Sequence, residues 1–411
     1  MPDGNVKWKR NAAFFIAGQF ISMFGSMLVS YAITWHITLR EQSGGLIALF
    51  TVATMLPMVF ISPVAGVWAD RYNRKYLINI SDAAIALVTL SVAILYSSGM
   101  QSVWFLLAAA MARSVGQGIQ QPAVSALIPQ IVPEEHLTRF NGIQSAAQSL
   151  TMFAAPMAAG ALLTFLPIGN IFFIDVATAV IGIAAVFFFV KVPHAVKQAE
   201  HGAGAKAYFH EMMEGLRFIG GQAWLKTLII ATALFMVMAS PSAMMTPLQV
   251  TRTFGGEVWR LTAIEIAFSV GMMIGGIVIA AWGGFKNKAH SMLLAWMLYG
   301  VSTLLFGVIP NFWVYLGVMV FCGCIMPLYN TPSMTLLQMK IPPQFMGRVF
   351  SVMSMISGLA FPLGMTLFGP LGDIVRIELL LIVTGVLLLT GGLFLLKRRE
   401  LFEAGKPSVS P

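Results

Sequence analysis

Four ionisable residues lie inside long apolar stretches of the sequence, where a charge needs a partner or a task. They are Asp82, Arg113, Asp175 and Glu265. A charged side chain within hydrocarbon is costly, so such residues pair with one another or lie on an ion pathway. An acid that meets Arg113 in only one conformation binds a proton in one state and releases it in the other. These four residues are therefore the candidate proton-coupling groups.

Each candidate also has a purely structural interpretation, because pairing alone makes a buried charge tolerable. Arg113 would then only neutralise a neighbouring acid, and Asp175 would only accept backbone or side-chain hydrogen bonds. Asp82, which lies near one predicted membrane face, would pair with a nearby basic loop. The residue types and their positions leave both interpretations open.

The composition places the chain in a lipid bilayer. Of its 411 residues, 58% are hydrophobic and 10% are charged, which is too apolar for an ordinary soluble protein. A spanning helix needs about 20 apolar residues, and the runs without charge predict twelve spans in an all-α integral membrane fold. The predicted spans are 11–38, 44–68, 76–98, 102–128, 138–164, 168–190, 224–250, 259–284, 289–309, 312–338, 346–371 and 376–397.

The formal charge of +9 reflects membrane topology and indicates no nucleic-acid partner. With these spans, roughly 20 of the 25 Lys and Arg residues fall on one side of the membrane. The cations on the other side are Arg40, Arg252, Arg260 and Arg376. Because cytoplasmic loops carry the excess of Lys and Arg, both termini are expected in the cytoplasm.

The longest polar stretch, 191–223, divides the chain into two halves of six spans. Apolar residues recur within it at helical spacing, which predicts an amphipathic helix on the membrane surface. Pro122 and Arg139 recur as Pro332 and Arg348, at offsets of 210 and 209 residues, which indicates a weak internal repeat. The predicted domains are a first bundle at 1–190, the linker at 191–223, a second bundle at 224–397 and a tail at 398–411.

Polar side chains follow one face of the first and fifth predicted spans. Such stripes face the bundle interior or water, where they either contact substrate or bond to neighbouring helices. Methionines near prolines in the seventh and tenth spans suggest an adaptable apolar surface, because thioether chains repack around varied ligands. The candidate substrate-cavity residues are Gln19, Ser22, Ser26, Gln144, Gln148, Met236, Met326 and Asn330.

Several kinds of chemistry are disfavoured by the motifs. Residues 202–206, Gly-Ala-Gly-Ala-Lys, are too short for a phosphate-binding loop and lack the following Ser or Thr. The six His residues show no metal-ligand spacing, and no Ser-His-Asp arrangement fits within one membrane leaflet. We therefore expect no enzyme, cofactor or bound metal. What remains is a secondary, ion-driven carrier. We expect its partners to be protons or sodium, a small amphipathic substrate and membrane lipids, and we expect a monomer.

A cluster of small, acidic and basic residues separates the second and third predicted spans. Its key members are Gly66, Asp70, Arg71, Arg74 and Lys75. The segment resembles the loop between helices 2 and 3 of major facilitator superfamily transporters, Gly-x-Leu-Ala-Asp-Arg-x-Gly-Arg-Lys, with Trp68 and Asn73 as departures. The resemblance implies twelve helices in two six-helix bundles around a central cavity. It also implies a cytoplasmic gate in which Asp70 faces the N-terminus of the eleventh span near Gly347 and Arg348.

Short segments along nearly the whole chain carry a second, narrower resemblance. They include residues 8–10, 17–19, 113–116, 122–123, 132–138, 174–176, 265–268 and 347–351. In this order and spacing they are similar to bacterial exporters of the macrolide-efflux (Mef) type. Two motifs are altered: the antiporter motif Gly-Pro-x-x-Gly-Gly reads Ala-Pro-Met-Ala-Ala-Gly at 155–160, and Gly116 and Gly118 follow Arg113 one residue early. The resemblance implies proton-coupled export of amphipathic drug-like molecules, macrolide-type or multidrug, across the bacterial cytoplasmic membrane.

Other functions fit the same pattern of spans. A lipid or lysolipid flippase and an uptake symporter are the alternatives within transport. A membrane scaffold or receptor without transport is disfavoured by the buried charges, since a scaffold gains nothing from carrying them. An intramembrane enzyme is disfavoured because the sequence lacks paired catalytic groups.

Overall fold

The computed structural model describes residues 3–192 and 205–406, apart from the side chains of residues 3–7, 70, 205–211 and 343. Regular structure in these ranges is helical, with a 3-10 turn at Glu134–His136 and a π-helical turn at Ala185–Phe189. The α-helices are α1 (Asp3–Arg40), α2 (Gly44–Arg71), α3 (Arg74–Ser97), α4 (Val103–Ile131), α5 (Leu137–Phe165), α6 (Ile168–Ala184), α7 (Ala205–Gly221), α8 (Ala223–Met244), α9 (Thr246–Thr253), α10 (Val258–Trp282), α11 (Lys288–Val308), α12 (Phe312–Lys340), α13 (Pro343–Ile374), α14 (Ile377–Leu396) and α15 (Arg399–Ala404).

Eleven stretches within the described ranges are long and apolar enough to cross a membrane, and each matches one predicted span. The predicted fold class, an all-α integral membrane protein, is confirmed. Among the described helices α4 is not one of the eleven, although it is 29 residues long and covers the predicted span 102–128. Arg113 and several glutamines lower its hydropathy, so the count of twelve spans stays a prediction.

The seventh predicted span, 224–250, is broken in the structure. α8 ends at Met244, and α9 begins at Thr246 with Pro247 in its first turn. Proline has no N–H to donate, and its ring clashes with the preceding turn of a helix. The two helices therefore meet at Met245 within one apolar stretch, Ala223–Thr253.

Contacts divide the chain into two compact units. Unit 1 consists of Met1–Ile37 and Ala53–Tyr208, and unit 2 of Thr38–Val52 and Phe209–Pro411. The end of α1 and the first turns of α2 thus belong with the second unit. The predicted domain boundaries, which follow the chain alone, stay a prediction.

In unit 1, α3 packs against α4 and α6. A buried apolar cluster joins α1, α3, α4 and α5 through Phe15, Ile78, Leu127 and Phe140. Burial of such side chains away from water and lipid is what fixes the register between neighbouring helices. Polar residues on the same faces of α3 and α4 are consequently brought into the interior of the unit.

In unit 2, α10 packs along α12, α8 along α13, and α11 along both α12 and α14. Phe235 of α8 lies among three aromatic rings, with centroids 5.1 Å from Trp296, 5.0 Å from Tyr299 and 5.2 Å from Tyr329. Both tyrosine hydroxyls share a hydrogen bond with a buried Ser or Thr hydroxyl of α8. Buried tyrosines need such partners, so these bonds align α8 with α11 and α12.

Candidate functional site

A buried ion pair links α4 and α6 in unit 1. Arg113 Nη1 donates to Asp175 Oδ2, and the side chains are only 6% and 1% exposed. Both residues were candidates from the sequence, but no pattern in the sequence paired them. Each charge makes the other tolerable in an interior where either alone would be strongly destabilising.

Two hydroxyl groups form further hydrogen bonds with this ion pair. Thr89 on α3 accepts from Arg113 and donates to Asp175 at 3.1 Å, while Ser26 on α1 donates to Asp175 at 3.3 Å. Gly25 allows α1 to approach so closely, since a Cβ there would lie 1.9 Å from a hydroxyl oxygen of α6. Asp175 therefore accepts from three donors on three different helices.

A second buried acid lies two helical turns away along α3. Asp82 is 4% exposed, and its Oδ1 accepts from Gln120 Nε2 of α4 at 2.6 Å. Asp82 and Thr89 are seven residues apart, as are Arg113 and Gln120, so about 10 Å of helix axis separates the two polar layers. The hydrogen-bond partner of Asp82 is thus an amide, and not a cation of the loop between α2 and α3.

The polar stripe of α1 runs past both groups of buried polar residues, the one at Asp82 and the one at Asp175. Gln19 and Ser22 lie beside Asp82, and Ser26 donates to Asp175. Ser22 is buried, whereas Gln19 and Ser26 are half-buried. The structure therefore brings this stripe to the buried acids, and contact of its residues with substrate stays a prediction.

The other predicted cavity residues are spread over α5, α8 and α12. Gln148 and Asn330 are exposed, and Gln144, Met236 and Met326 are half-buried. An exposed polar side chain within a long apolar helix is more stable against water than against lipid. That preference is consistent with a cavity-facing position for Gln148 and Asn330, and contact with substrate stays a prediction.

Glu265 lies on α10 of unit 2, two turns after the helix begins at Val258. Its side chain is half-buried and interacts with neighbouring groups. Arg113, which the sequence grouped with Glu265 as coupling candidates, belongs to unit 1 and is bound to Asp175. A coupling role for Glu265 stays a prediction.

Two cations in the first turn of α3 bind main-chain carbonyls of unit 1. Arg74 donates to the carbonyls of Ala69 and Ala126, both at 2.8 Å. Lys75 Nζ donates at 2.7 Å to two carbonyls at the end of the π-helical turn after α6. Cations are favourable at such helix ends, where carbonyls lack partners within the helix. These two residues thus connect the ends of α2, α4 and α6.

The remaining residues of the predicted gate lie near the end of α2 and at the start of α13. Arg71 is exposed and Gly66 is half-buried, while the side chain of Asp70 lies outside the described residues. Arg348 forms an ion pair with Glu214 of α7 at 3.0 Å, and Gly347 is exposed beside it. The gate between Asp70 and the start of α13 stays a prediction.

Asp373, an acid near the end of α13 that no sequence pattern singles out, caps the start of α2 within unit 2. It accepts the backbone N–H groups of Gly44 at 2.6 Å and Gly45 at 2.8 Å, and the hydroxyl of Ser43 at 2.8 Å. Carboxylates are stabilising at helix N-termini because the first N–H groups lack partners. The Ser-Gly-Gly start of α2 is a visible helix signal, but nothing in the sequence indicates an acid 329 positions away.

Arg252 at the end of α9 completes this cluster. Its Nη2 lies 3.6 Å from Asp373 Oδ1, and it donates to the carbonyls of Gln42 and Gly372. Gln42 has a φ of 49°, an uncommon conformation for a residue other than glycine. The bond from Arg252 thus helps to hold the turn between α1 and α2.

Long apolar helices that enclose a buried ion pair are typical of multi-pass membrane proteins that carry an ion or substrate pathway. The comparison with known families gives the particular class. The Major Facilitator Superfamily profile matches residues 15–365, and the chain belongs to that family. The resemblance of the loop at Asp70 is thereby confirmed, and the protein is a transporter and not an enzyme.

Relatives and solved structures agree with this assignment. The chain is 27% identical over 384 residues to macrolide efflux protein A of Streptococcus pyogenes, covering 93% of this chain and 94% of that protein. It is 26% identical over 381 residues to the multidrug efflux pump Tap of Mycobacterium bovis, covering 86% and 87%. Its fold resembles a bacterial homologue of the human lysosomal transporter Spinster, inward-facing and unoccupied, with a TM-score of 0.70, 14% identity and 100% of both chains covered.

Proposed function

We propose that this transporter is a secondary active exporter that exchanges protons for amphipathic drug-like molecules, macrolide-type or multidrug, by alternating access. The observation that carries the proposal is the buried polar core of unit 1, where Arg113, Asp175 and Asp82 lie on adjacent helices. Ionisable groups in such positions are typical of ion pathways. The relatives named as efflux proteins support export and the substrate class.

The ion pair gives a physical reason for coupling. Arg113 and two hydroxyls contact the side chain of Asp175 and balance its buried charge. A conformational change that separates the pair leaves a buried charge, which must then meet water, a new partner or a proton. Substrate binding that favours one of these conformations therefore changes the electrostatic surroundings of the buried acids in unit 1, and with them the number of bound protons.

The proposed orientation follows from the excess of cations in the loops at one end of the helices. It places both termini in the cytoplasm of a bacterium, with the chain in the cytoplasmic membrane as a monomer. The first turn of α3, with Arg74 and Lys75, then lies on the cytoplasmic side, and the cluster of Asp373 and Arg252 on the outer side. The proposed gate at Asp70 closes the cytoplasmic side when the cavity opens outward.

The test is uptake of radiolabelled erythromycin and of ethidium into everted membrane vesicles that hold this protein. Respiration acidifies the lumen of such vesicles, so a proton antiporter accumulates its substrate inside them. We expect accumulation above that of vesicles from cells with an empty vector. An uncoupler should abolish it, whereas removal of sodium should leave it unchanged.

Other outcomes separate the alternatives. Uptake into right-side-out vesicles and none into everted vesicles would indicate a symporter. Movement of a fluorescent lysolipid between leaflets, without transport of either drug, would indicate a flippase. Accumulation that persists with the uncoupler and stops without sodium would overturn proton coupling but retain secondary transport.

A further inference from the structure

Asp82 and Asn79 are two incompletely bonded polar residues of α3 inside unit 1. Asn79 lies one turn before Asp82 on α3, and residues three apart on a helix share a face. Asn79 is 6% exposed. Within the described part of the chain, neither polar atom of its amide nor Asp82 Oδ2 has a hydrogen-bond partner. Buried polar atoms are nearly always bonded, and a proton on Asp82 Oδ2 would give a hydrogen bond both to that atom and to the amide oxygen of Asn79.

The two buried acids of unit 1 differ in how well a negative charge is supported. Asp175 accepts from Arg113, Thr89 and Ser26. Asp82 accepts from the neutral amide of Gln120. A buried carboxylate with so little support is far less stable than a neutral carboxylic acid in the same place.

The surroundings of Asp82 add no cation to support its charge. On α6 the facing titratable group is Asp175, a like charge, and on α4 Arg113 is bound to that acid. α1 presents the neutral side chains Gln19 and Ser22. Lys75, at the start of α3, is bound to carbonyls at the end of the π-helical turn.

We propose that Asp82 is the residue that binds the coupling proton, with Asn79 as its second hydrogen-bond partner. The proton adds to Oδ2 of the carboxylate and gives the neutral acid, whose new O–H donates to the amide oxygen of Asn79. Oδ1 keeps its bond from Gln120. Release reverses this single step and returns the proton to water. The inference rests on the proposed function, since it names the site of the coupling ion in that exchanger.

Gln19 connects this site to the substrate. It lies beside Asp82 and is half-buried on the polar stripe of α1. A substrate that binds Gln19 moves that amide relative to Asp82 or admits water beside it. Either change alters the relative stability of the acid and its carboxylate. Substrate binding and proton release are thereby linked through one side chain.

The first test compares wild-type protein with Asp82→Asn in proteoliposomes, with radiolabelled erythromycin as the probe. Asp82→Asn should retain exchange of erythromycin without a gradient, because the amide has the shape of the neutral acid. It should lose uphill accumulation to the level of protein-free liposomes, and its exchange should no longer vary with pH. Glu135→Gln, which removes an exposed carboxylate, is the matched control and should behave as wild type.

The second test measures protons directly. Adding erythromycin to purified wild-type protein in weakly buffered detergent should release protons, Asp82→Asn should release none, and Gln19→Leu should release fewer than wild type. If Asp82→Asn does not fold, Asp82→Glu replaces it. That variant keeps the acid but moves it by one methylene, and it should shift the pH midpoint of exchange, whereas an unchanged midpoint counts against the proposal.

The outcomes separate this inference from the proposed function. A wild-type protein that neither exchanges nor accumulates the probes defeats the proposed function itself. Normal uphill transport and proton release by Asp82→Asn, beside an active wild type, overturn the assignment of Asp82 alone. Accumulation driven by a sodium gradient and lost in Asp82→Asn replaces the proton with a sodium ion at the same residue.

Discussion

The carboxylate of Asp373 accepts the backbone N–H of Gly44 at 2.6 Å and so caps the start of α2. Gly44 also lies so near α13 that a Cβ on it would be 2.5 Å from the carbonyl oxygen of Gly369. Charge-assisted bonds and direct backbone contact therefore hold the start of α2 against the end of α13. Any movement of these two ends apart breaks the bonds to Asp373.

Replacement of Asp373 should measurably destabilise the fold. Asp373→Ala should lower the free energy of unfolding by about 2 kcal/mol, because it removes a helix cap and charge-assisted hydrogen bonds. Asp373→Asn should have a smaller effect, since its amide oxygen still accepts one N–H. Thermal unfolding of the purified protein in detergent, followed by tryptophan fluorescence, measures both changes.

The control for this prediction is Glu257→Gln. Glu257 pairs with Arg260 at 3.1 Å but is more than half exposed, so its loss should change stability by no more than about 0.5 kcal/mol. A cap role for Asp373 is contradicted if Asp373→Ala unfolds at the wild-type temperature, or if Glu257→Gln lowers that temperature equally.

Loss of Arg113 should be more severe than loss of a surface cation. Arg113→Ala leaves Asp175 buried without its counter-charge, which costs about 3–5 kcal/mol for a pair of this kind. The double variant Arg113→Met with Asp175→Leu removes both charges at similar volume and should recover most of that stability. Unfolding in detergent and the yield of folded protein check both expectations. Equal destabilisation by the single and double variants would show that packing at these positions matters more than the charge.

The sequence predicted the spans well because charge ends an apolar run. The predicted span 44–68 becomes α2, Gly44–Arg71, so the charged residues Asp70 and Arg71 that follow the apolar run are the last two of the helix. The break at Met245 did not follow from the charge pattern, since residues 227–251 contain no Asp, Glu, Lys or Arg. Proline chemistry decides that break, and a count of apolar residues does not register it.

The candidate site was predictable by residue type but not by pairing. Arg113, Asp175 and Asp82 stand out as charges in apolar runs, yet Arg113 is 62 residues from its partner. Which helices are neighbours depends on packing, and small residues such as Gly25 decide it locally. Asp373 was less visible still, because a carboxylate near a predicted membrane surface is unremarkable and its partners are backbone N–H groups.

The backbones of α10 and α12 approach each other closely in unit 2, so two glycines of α10 should respond differently to replacement by alanine. A Cβ on Gly271 would lie 2.0 Å from the carbonyl oxygen of Val320 on α12, whereas a Cβ on Gly276 would meet no atom within 4 Å among the described residues. Gly271→Ala should therefore push α10 and α12 apart and cost about 1–3 kcal/mol. Gly276→Ala should be neutral or stabilise by up to about 1 kcal/mol, since alanine is the better helix former. Unfolding temperatures that fall equally for both variants would contradict this packing.

The docking of α7 on the start of α13 gives the last prediction. The rings of Phe218 and Phe345 stack with centroids 4.4 Å apart, and Glu214 pairs with Arg348 at 3.0 Å. Trypsin can cleave after Arg217, which lies between these two contacts, only when α7 opens locally, so the rate of cleavage follows the population of the open form.

Phe218→Ala should raise that rate about tenfold through the lost aromatic contact, and Glu214→Gln should raise it less because its ion pair is partly exposed. Met213→Ala, at an exposed position of α7, should leave the rate at the wild-type value. Mass spectrometry of timed digests follows this cleavage, and an equal acceleration by Met213→Ala and Phe218→Ala would show that α7 does not depend on its contact with α13.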